Sequence, residues 1–304
     1  MYSPRELAEY AAFRTAVASL GRLPLPLAQG AGARLARALF DLGGKRIEYV
    51  LANLRVAYPN LSEDARRAIG RESYVNLAWM LIDVARGAHW TADDVRERVE
   101  VRGREHGHAA MAKGRGAIAL SLHQGSFELA MRAMPTFGIP IIVIGRPLGN
   151  RLLREEIKRQ RESTGSELLA HRNILPELIR ALRKGRAVCA LNDQYARRSR
   201  GVFVPFLGAR ASTSLGPALL AVRTGAPIVP AHCLRVGPDR HVLTIRPALE
   251  TPDTGDRRKD AELLTERGNA ALEEFIRACP EQWMWSHRRF RHSPDLPGDP
   301  YGGR

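Results

Sequence analysis

Cysteine is scarce in this chain: three residues in 304, at positions 189, 233 and 279. An odd and scattered set argues against a disulfide framework. No Cys/His spacing suits a metal cluster, so no metal or other cofactor is expected. Cys189 and Cys233 lie inside the apolar runs AVCAL and PAHCL and read as small core residues of a protein in a reducing compartment. Aromatic residues make up only 6% of the chain, and no nucleic-acid-binding module is recognisable. That speaks against a protein that stacks on bases, so no nucleic-acid partner is expected. A secretory signal is not expected either, because Glu6 and Glu9 precede any apolar stretch. No membrane span is clear in the sequence either. The most apolar N-terminal stretch, residues 16–43, is broken by Arg22, Arg34, Arg37, Pro24 and Pro26. Its longest uncharged run, from Leu23 to Ala33, falls short of the ~20 residues that cross a bilayer.

Acidic residues are in deficit: 32 against 47 Lys and Arg, for a net charge of +15. A surface this basic attracts polyanions, whether anionic lipid, an acidic protein or nucleic acid, although a merely solvated Arg-rich surface has the same composition. Most of the cations are Arg, which grips phosphate and carboxylate with two parallel donors. Hydrophobic residues make up 44% of the chain, enough for a large packed core. Residues 16–43 can lie in a lipid interface as an amphipathic helix, with the arginines snorkelling to the headgroups.

Residues 1–100 read as helical. Ser62 is placed to cap a helix starting at Glu63, in which Tyr74, Leu77, Leu81 and Val84 fall at helical spacing. Beyond residue 100 short apolar runs alternate with helical stretches. Residues 117–122, 140–145, 187–191 and 227–234 read as buried strands, and 241–247 as a strand nearer an edge. Residues 150–164, 175–184, 215–224 and 260–278 read as helices. This alternation predicts an α/β fold with a mostly parallel central sheet flanked by helices and a helical N-terminal extension. The expected division is a membrane-proximal helical region over 1–100 and a core over 101–304 that ends in a basic, Trp-containing tail. In such sheets ligands bind beyond the C-terminal ends of the strands.

The strand 117–122 ends at His123. Gln124 and Gly125 form a turn, Ser126 is placed to cap a following helix, and Glu128 falls in the first turn of that helix. With a turn between them, the Glu128 carboxylate can fold back on the imidazole, fix its tautomer and leave the other nitrogen free to accept a proton. The bland alternatives are a first-turn Glu favoured by the helix dipole and a strand-end His bonded to a carbonyl. Arg154, Lys158 and Arg161 form one helical stripe, which suits either an anion clamp or a solvated cationic face. Asp193 follows the strand AVCALN and suits a site or a turn. Phe203, Phe206 and Leu207 suit an acyl-chain wall or core. Trp283 and Trp285, beside Arg288, Arg289 and Arg291, suit a lipid headgroup interface or partial packing.

The pattern H-x-x-x-x-E after a buried strand resembles the signature of glycerolipid and lysophospholipid acyltransferases. More narrowly, the chain is similar to the late lauroyl and myristoyl transferases of lipid A biosynthesis. The similar features run from Asn53 to Arg291: NLRVAYPNLSEDAR, His123 to Glu128, GRPLGN at 145–150, the R-x-R-x-x-x-G of Arg159, Arg161 and Gly165, NDQ at 192–194, FVPFLGARAST at 203–213, TGAPIVP at 224–230 and PEQWMWSHRRFR at 280–291. H-x-x-x-x-E alone is common; the order and spacing of the whole set are specific.

The resemblance implies an O-acyl transfer from an acyl thioester, carried on acyl carrier protein or coenzyme A, to a hydroxyl of a lipid A precursor. His123 would be the base, with Glu128 its partner. Arg161 and Asp193 match functional positions of the family and, with Arg146, Arg159 and Gln194, which stand in its motifs, are the substrate-binding candidates that the resemblance implies. No Ser or Cys sits in a nucleophile elbow, which implies direct transfer. Expected partners are an acidic carrier protein or acyl-CoA, a glycolipid acceptor and an anionic membrane surface. The expected location is the cytoplasmic face of the bacterial inner membrane, peripheral or N-terminally anchored. Members commonly carry an N-terminal spanning helix, and the broken segment 16–43 departs from that pattern. The alternative acceptor is another glycolipid or phospholipid, such as a phosphatidylinositol mannoside. Related acyltransferases often have Asp where Glu128 stands.

Overall fold

The structure is a computed structural model and describes residues 2–145, 149–170 and 174–302. Four helices come first: α1 (Pro4–Arg22), α2 (Leu25–Asp41), α3 (Lys45–Ala57) and α4 (Glu63–Arg86). Local chemistry sets their starts. Ser3 and Glu6 form a reciprocal capping box at α1, and Ser62 accepts from the Ala65 N–H at 3.2 Å to open α4. No helix among the described residues is long and apolar enough to cross a membrane.

The rest is an α/β layer. Its elements are α5 (Ala92–Arg98), β1 (Val99–Arg102), α6 (Arg104–Met111), β2 (Ala117–Ser121), α7 (Phe127–Thr136), β3 (Ile141–Gly145), α8 (Arg151–Glu162), β4 (Glu167–Ala170), α9 (Leu175–Arg183) and β5 (Ala187–Leu191). They are followed by β6 (Gly201–Phe206), β7 (Ala209–Ser214), α10 (Gly216–Thr224), β8 (Ile228–Gly237), β9 (Arg240–Ile245) and α11 (Arg257–Ala278). Among the described residues, seven strands form one sheet in the order β1-β9-β8-β2-β5-β3-β4. Every pairing is parallel except the β8–β9 hairpin. The fold is therefore the α/β architecture that the alternating pattern predicts.

The central strands are continuous apolar runs because helices cover both of their faces. All five residues of β2 are buried. Two packed layers result. Ile118, Leu120 and Leu122 face a cluster with Leu54, Leu182, Leu264, Phe275 and Trp283, whereas Ala117 and Ala119 face a cluster with Leu129, Ala133, Cys189 and Cys233. Phe40, Val50 and Leu54 of the N-terminal helices belong to the first cluster, so these helices share the core of the sheet.

Several elements escape the apolar pattern. β1 and β4 have four residues each and close the two edges of the sheet. The stretch 241–247, expected nearer an edge, is an inner strand because β1 covers it. The FVPFLG segment is half of an antiparallel hairpin, β6–β7, outside the main sheet. Phe206 and Leu207 are fully buried side chains of the core. The tail also differs from the partial packing expected. Trp283 and Trp285 are buried edge-to-face at 4.5 Å, and Arg289 is fully buried. The Arg289 guanidinium lies over Phe206 and donates to the Ser212 carbonyl at 2.8 Å and the Thr213 hydroxyl at 2.7 Å. These aromatics wedge the tail into the core and are not available to a headgroup layer. Trp285→Ala is expected to lower unfolding stability by ~3–5 kcal/mol, the usual cost of removing a buried Trp. Chemical denaturation checks this; a loss below ~1 kcal/mol would show that the tail is not part of the cooperative core.

Candidate active site

His123 stands just past β2 and Asp193 just past β5, and these two strands are neighbours. Their register pairs Ser121 with Leu191. Two further residues along each strand bring His123 opposite Asp193, across a spacing of about 4.8 Å. The His123 Nδ1–H donates to Asp193 Oδ1 at 2.8 Å, and the His123 backbone N–H donates to Asp193 Oδ2 at 3.0 Å. The tail completes the carboxylate's shell: Trp283 Nε1–H donates to Oδ2 at 2.7 Å. Asp193 is 2% exposed, so these three donors are what keep a buried carboxylate charged. The bond at Nδ1 places the lone pair of neutral His123 on Nε2. The Gln194 amide lies 3.4 Å from both ring nitrogens, and Phe127 packs edge-to-face on the ring at 5.1 Å.

The expected contact between Glu128 and His123 is absent; Asp193 holds the imidazole. Glu128 is in the first turn of α7, and both of its oxygens go to Arg161 at the end of α8. Arg161 Nε donates to Oε2 at 2.9 Å and Nη2 to Oε1 at 2.6 Å. This planar fork is the preferred geometry for Arg and carboxylate, and it outcompetes a single bond from a ring that already has a partner. Gly145 at the end of β3 leaves room for the guanidinium: a Cβ there would lie 3.3 Å from Arg161 Nη1 and 2.9 Å from Leu168 Cδ1.

The structure thus brings His123, Asp193, Gln194, Glu128 and Arg161 to one end of the sheet. Arg159 is not among them: its guanidinium is exposed and pairs with Glu156 of its own helix. Arg146 lies outside the described residues. Trp283, which the sequence suggests for a headgroup interface or partial packing, is a further member through its bond to Asp193. His287 is another neighbour from the tail, its Nδ1 facing the Tyr195 N–H at 3.5 Å.

The electrostatics follow from this packing. Burial pulls the His123 pKa down, but the Asp193 charge, the hydrogen bond to it and the nearby Glu128 charge outweigh burial, and the net shift is upward. Burial pushes Asp193 up, but His123, the Trp283 donor and the backbone N–H hold it below the usual carboxylate range. Burial takes His287 down to about 4 despite the Asp193 charge, so it is neutral at ordinary pH. A histidine raised by an anion loses that rise when the anion is removed. His123 is expected to titrate above the ordinary value of about 6.5. In Asp193→Asn, where burial is opposed only by Glu128, the midpoint is expected to fall. Histidine-selective NMR titration measures both, and a midpoint indifferent to Asp193→Asn contradicts the pairing.

A strand-end histidine held by a buried carboxylate, with a second carboxylate and its arginine at the same end of the sheet, belongs to the class of sites equipped for acid–base chemistry. The chain's relatives give that class a reaction. It is 30% identical over 278 residues to the lipid A biosynthesis lauroyltransferase of Escherichia coli (strain K12), covering 90% of this chain and 88% of that protein. It is 26% identical over 275 residues to the lipid A biosynthesis palmitoleoyltransferase of the same organism, with the same coverage. A phosphatidylinositol mannoside acyltransferase of Mycolicibacterium smegmatis is 29% identical over 192 residues, or 62% of this chain and 60% of that one. The chain is an acyltransferase. The family model described as bacterial lipid A biosynthesis acyltransferase matches residues 5–292, and the chain belongs to that family.

Proposed function

We propose that the chain transfers a fatty acyl group from an acyl thioester, on acyl carrier protein or coenzyme A, to a free hydroxyl of a lipid A precursor. The observation that carries the mechanism is the Asp193–His123 pair at 2.8 Å, which leaves Nε2 as the base. The acceptor hydroxyl loses its proton to Nε2 as its oxygen attacks the thioester carbonyl. The tetrahedral intermediate then collapses and expels the thiolate, which takes the proton back from Nε2. Asp193 stabilises the imidazolium between these steps. Glu128 serves Arg161 in this reading. Its bidentate grip fixes the guanidinium and leaves the Nη1 side to meet the oxyanion or an acceptor phosphate.

The second reading keeps the chemistry and changes the acceptor to another glycolipid. The resemblance to phosphatidylinositol mannoside acyltransferases over 60–62% of the chain favours giving it a test.

Peripheral attachment to an anionic membrane, on the cytoplasmic face of the inner membrane, fits the surface. On α2 and its C-cap, Leu27, Leu35, Leu39 and Leu42 are 50–81% exposed. They lie on the face opposite Ala33, Ala36 and Phe40, which are buried. Exposed Arg34, Lys45 and Arg46 flank them. An apolar stripe between cations suits the headgroup boundary of an anionic layer.

Four outcomes follow. His123→Ala is expected to lose ~10²–10⁴-fold in transfer while remaining folded, the usual loss of a positioned base; near-normal turnover in the folded variant rules out the mechanism. Arg161→Ala is expected to lose about 10²-fold, with partial recovery in Arg161→Lys, which keeps the charge but not the fork. In competition with acyl carrier protein as donor, a lipid A precursor is expected to be acylated ahead of an inositol-based glycolipid, and the reverse order assigns the second reading. Binding to anionic vesicles is expected to weaken with salt and on Leu35→Glu/Leu39→Glu. Protein that leaves the membrane only in detergent, even at high salt, overturns peripheral attachment.

A further inference from the structure

Ser126 stands at the N-cap of α7, yet its hydroxyl makes no capping bond. It donates instead to Asp83 Oδ2 at 3.1 Å, 43 residues earlier on α4. Asp83 is 5% exposed and Ser126 1%. The same Oδ2 accepts from Arg235 of β8, itself 8% exposed, and lies 3.3 Å from His241 Nε2 of β9. Arg235 also donates to the Pro238 carbonyl at 2.6 Å. A buried anion from α4 is therefore balanced by a buried cation from the sheet, and its spare acceptor capacity goes to the turn that follows His123.

Two features make this more than ordinary packing. A Ser at an N-cap normally satisfies one of the free N–H groups of the helix, and here it gives up that bond. A buried ion pair is seldom a net stabiliser compared with apolar packing, so stability alone is a poor reason for one. The turn is pinned on its other sides as well. The Ser126 N–H donates to the Cys233 carbonyl at 2.9 Å, and the Gly125 N–H to the Gln282 carbonyl at 2.8 Å. Gly125 has φ +55, and a Cβ there would lie 2.2 Å from the Cys233 carbonyl, so the turn cannot be rebuilt with another residue. The Met284 N–H reaches the His123 carbonyl at 2.9 Å. Asp83 supplies the side-chain contact that reaches this turn from the N-terminal helices.

We infer that Asp83 is a positioning residue for His123, holding the His123–Ser126 turn through the Ser126 hydroxyl so that the imidazole stays on Asp193. The inference rests on His123 being the base. Ser126→Ala tests it, because that variant removes the link while leaving Asp83 and Arg235 paired. Two readouts are taken on the full chain: the His123 midpoint by histidine-selective NMR titration, and kcat and KM for transfer from acyl carrier protein to a lipid A precursor. In Ser126→Ala the midpoint is expected to move down from that of the unaltered chain, and kcat to fall ~10-fold, as a small misplacement of a reacting group costs. Both KM values stay within about twofold, since no substrate contact is lost. Asp83→Leu combined with Arg235→Met strands no buried charge, leaves the Ser126 hydroxyl no acceptor on α4 and is expected to show the same profile. Adding Ser126→Ala to that pair is expected to cost nothing more, as groups acting through one bond are not additive. An unaltered midpoint and kcat in Ser126→Ala, or additive losses, overturn the inference; the Ser126→Ala result decides alone if the paired variant does not fold. If the unaltered chain transfers no acyl group to any lipid tested, the acyl-transfer reading fails, and the NMR midpoint still decides whether Asp83 positions His123.

Discussion

The in-register parallel pairing of β2 with β5 is the constraint on which the candidate site depends. Once Ser121 faces Leu191, His123 and Asp193 emerge side by side at the end of the sheet, and a carboxylate 70 residues away becomes the imidazole's partner. The pairing is driven by burial: Ile118, Leu120, Leu122 and Val188 fill one layer and Ala119 and Cys189 the other, so a slip of one residue would exchange the two faces. The site geometry is thus secured by the hydrophobic core and does not rest on a flexible loop.

A buried carboxylate beside a histidine must have its remaining lone pairs filled, and the C-terminal tail does this. Trp283 brings its indole N–H to Asp193, while Trp283 and Trp285 pack against each other. Asn53 of α3 donates to the Trp285 and His287 carbonyls at 2.6 and 2.7 Å, and Tyr301 donates to Asn53 Oδ1 at 2.5 Å. The tail therefore ties the N-terminal helices to the turn that follows His123. Its aromatic and basic residues, which by composition suit a lipid surface, are mostly spent inside the protein. The surface proposed to meet the membrane lies instead on α2, where Leu27, Leu35 and Leu39 are exposed.

The two ion pairs at the site divide the work that a single histidine–glutamate dyad was expected to do. Asp193 sets the tautomer and charge preference of His123. Glu128 orients Arg161, and its charge acts on His123 only through space. Both carboxylates raise the basicity of the imidazole, while burial opposes them. That balance suits the role of base proposed for His123.

Much of this was legible in the sequence. Apolar runs of four to eight residues separated by helical stretches specify a parallel α/β layer, because only strands buried on both faces read that way. His123 was legible as a strand-end residue, and the ordered set of motifs from Asn53 to Arg291 marked the family. The four-residue edge strands were not legible, since four residues carry too little periodicity, and neither was the β6–β7 hairpin, hidden by its apolar FVPFLG character. The partners of the site residues were also beyond reach. Glu128 is five residues from His123 and was the natural choice for a local reading, yet distance along the chain does not measure distance in a sheet. Strand register joined His123 to Asp193, helix packing joined Glu128 to Arg161, and the folded tail delivered Trp283. The sequence by itself determined the family and which candidate side chains stand at which strand ends. Tertiary structure alone decided which acid serves which base, because that choice is made by the register and packing of elements tens of residues apart.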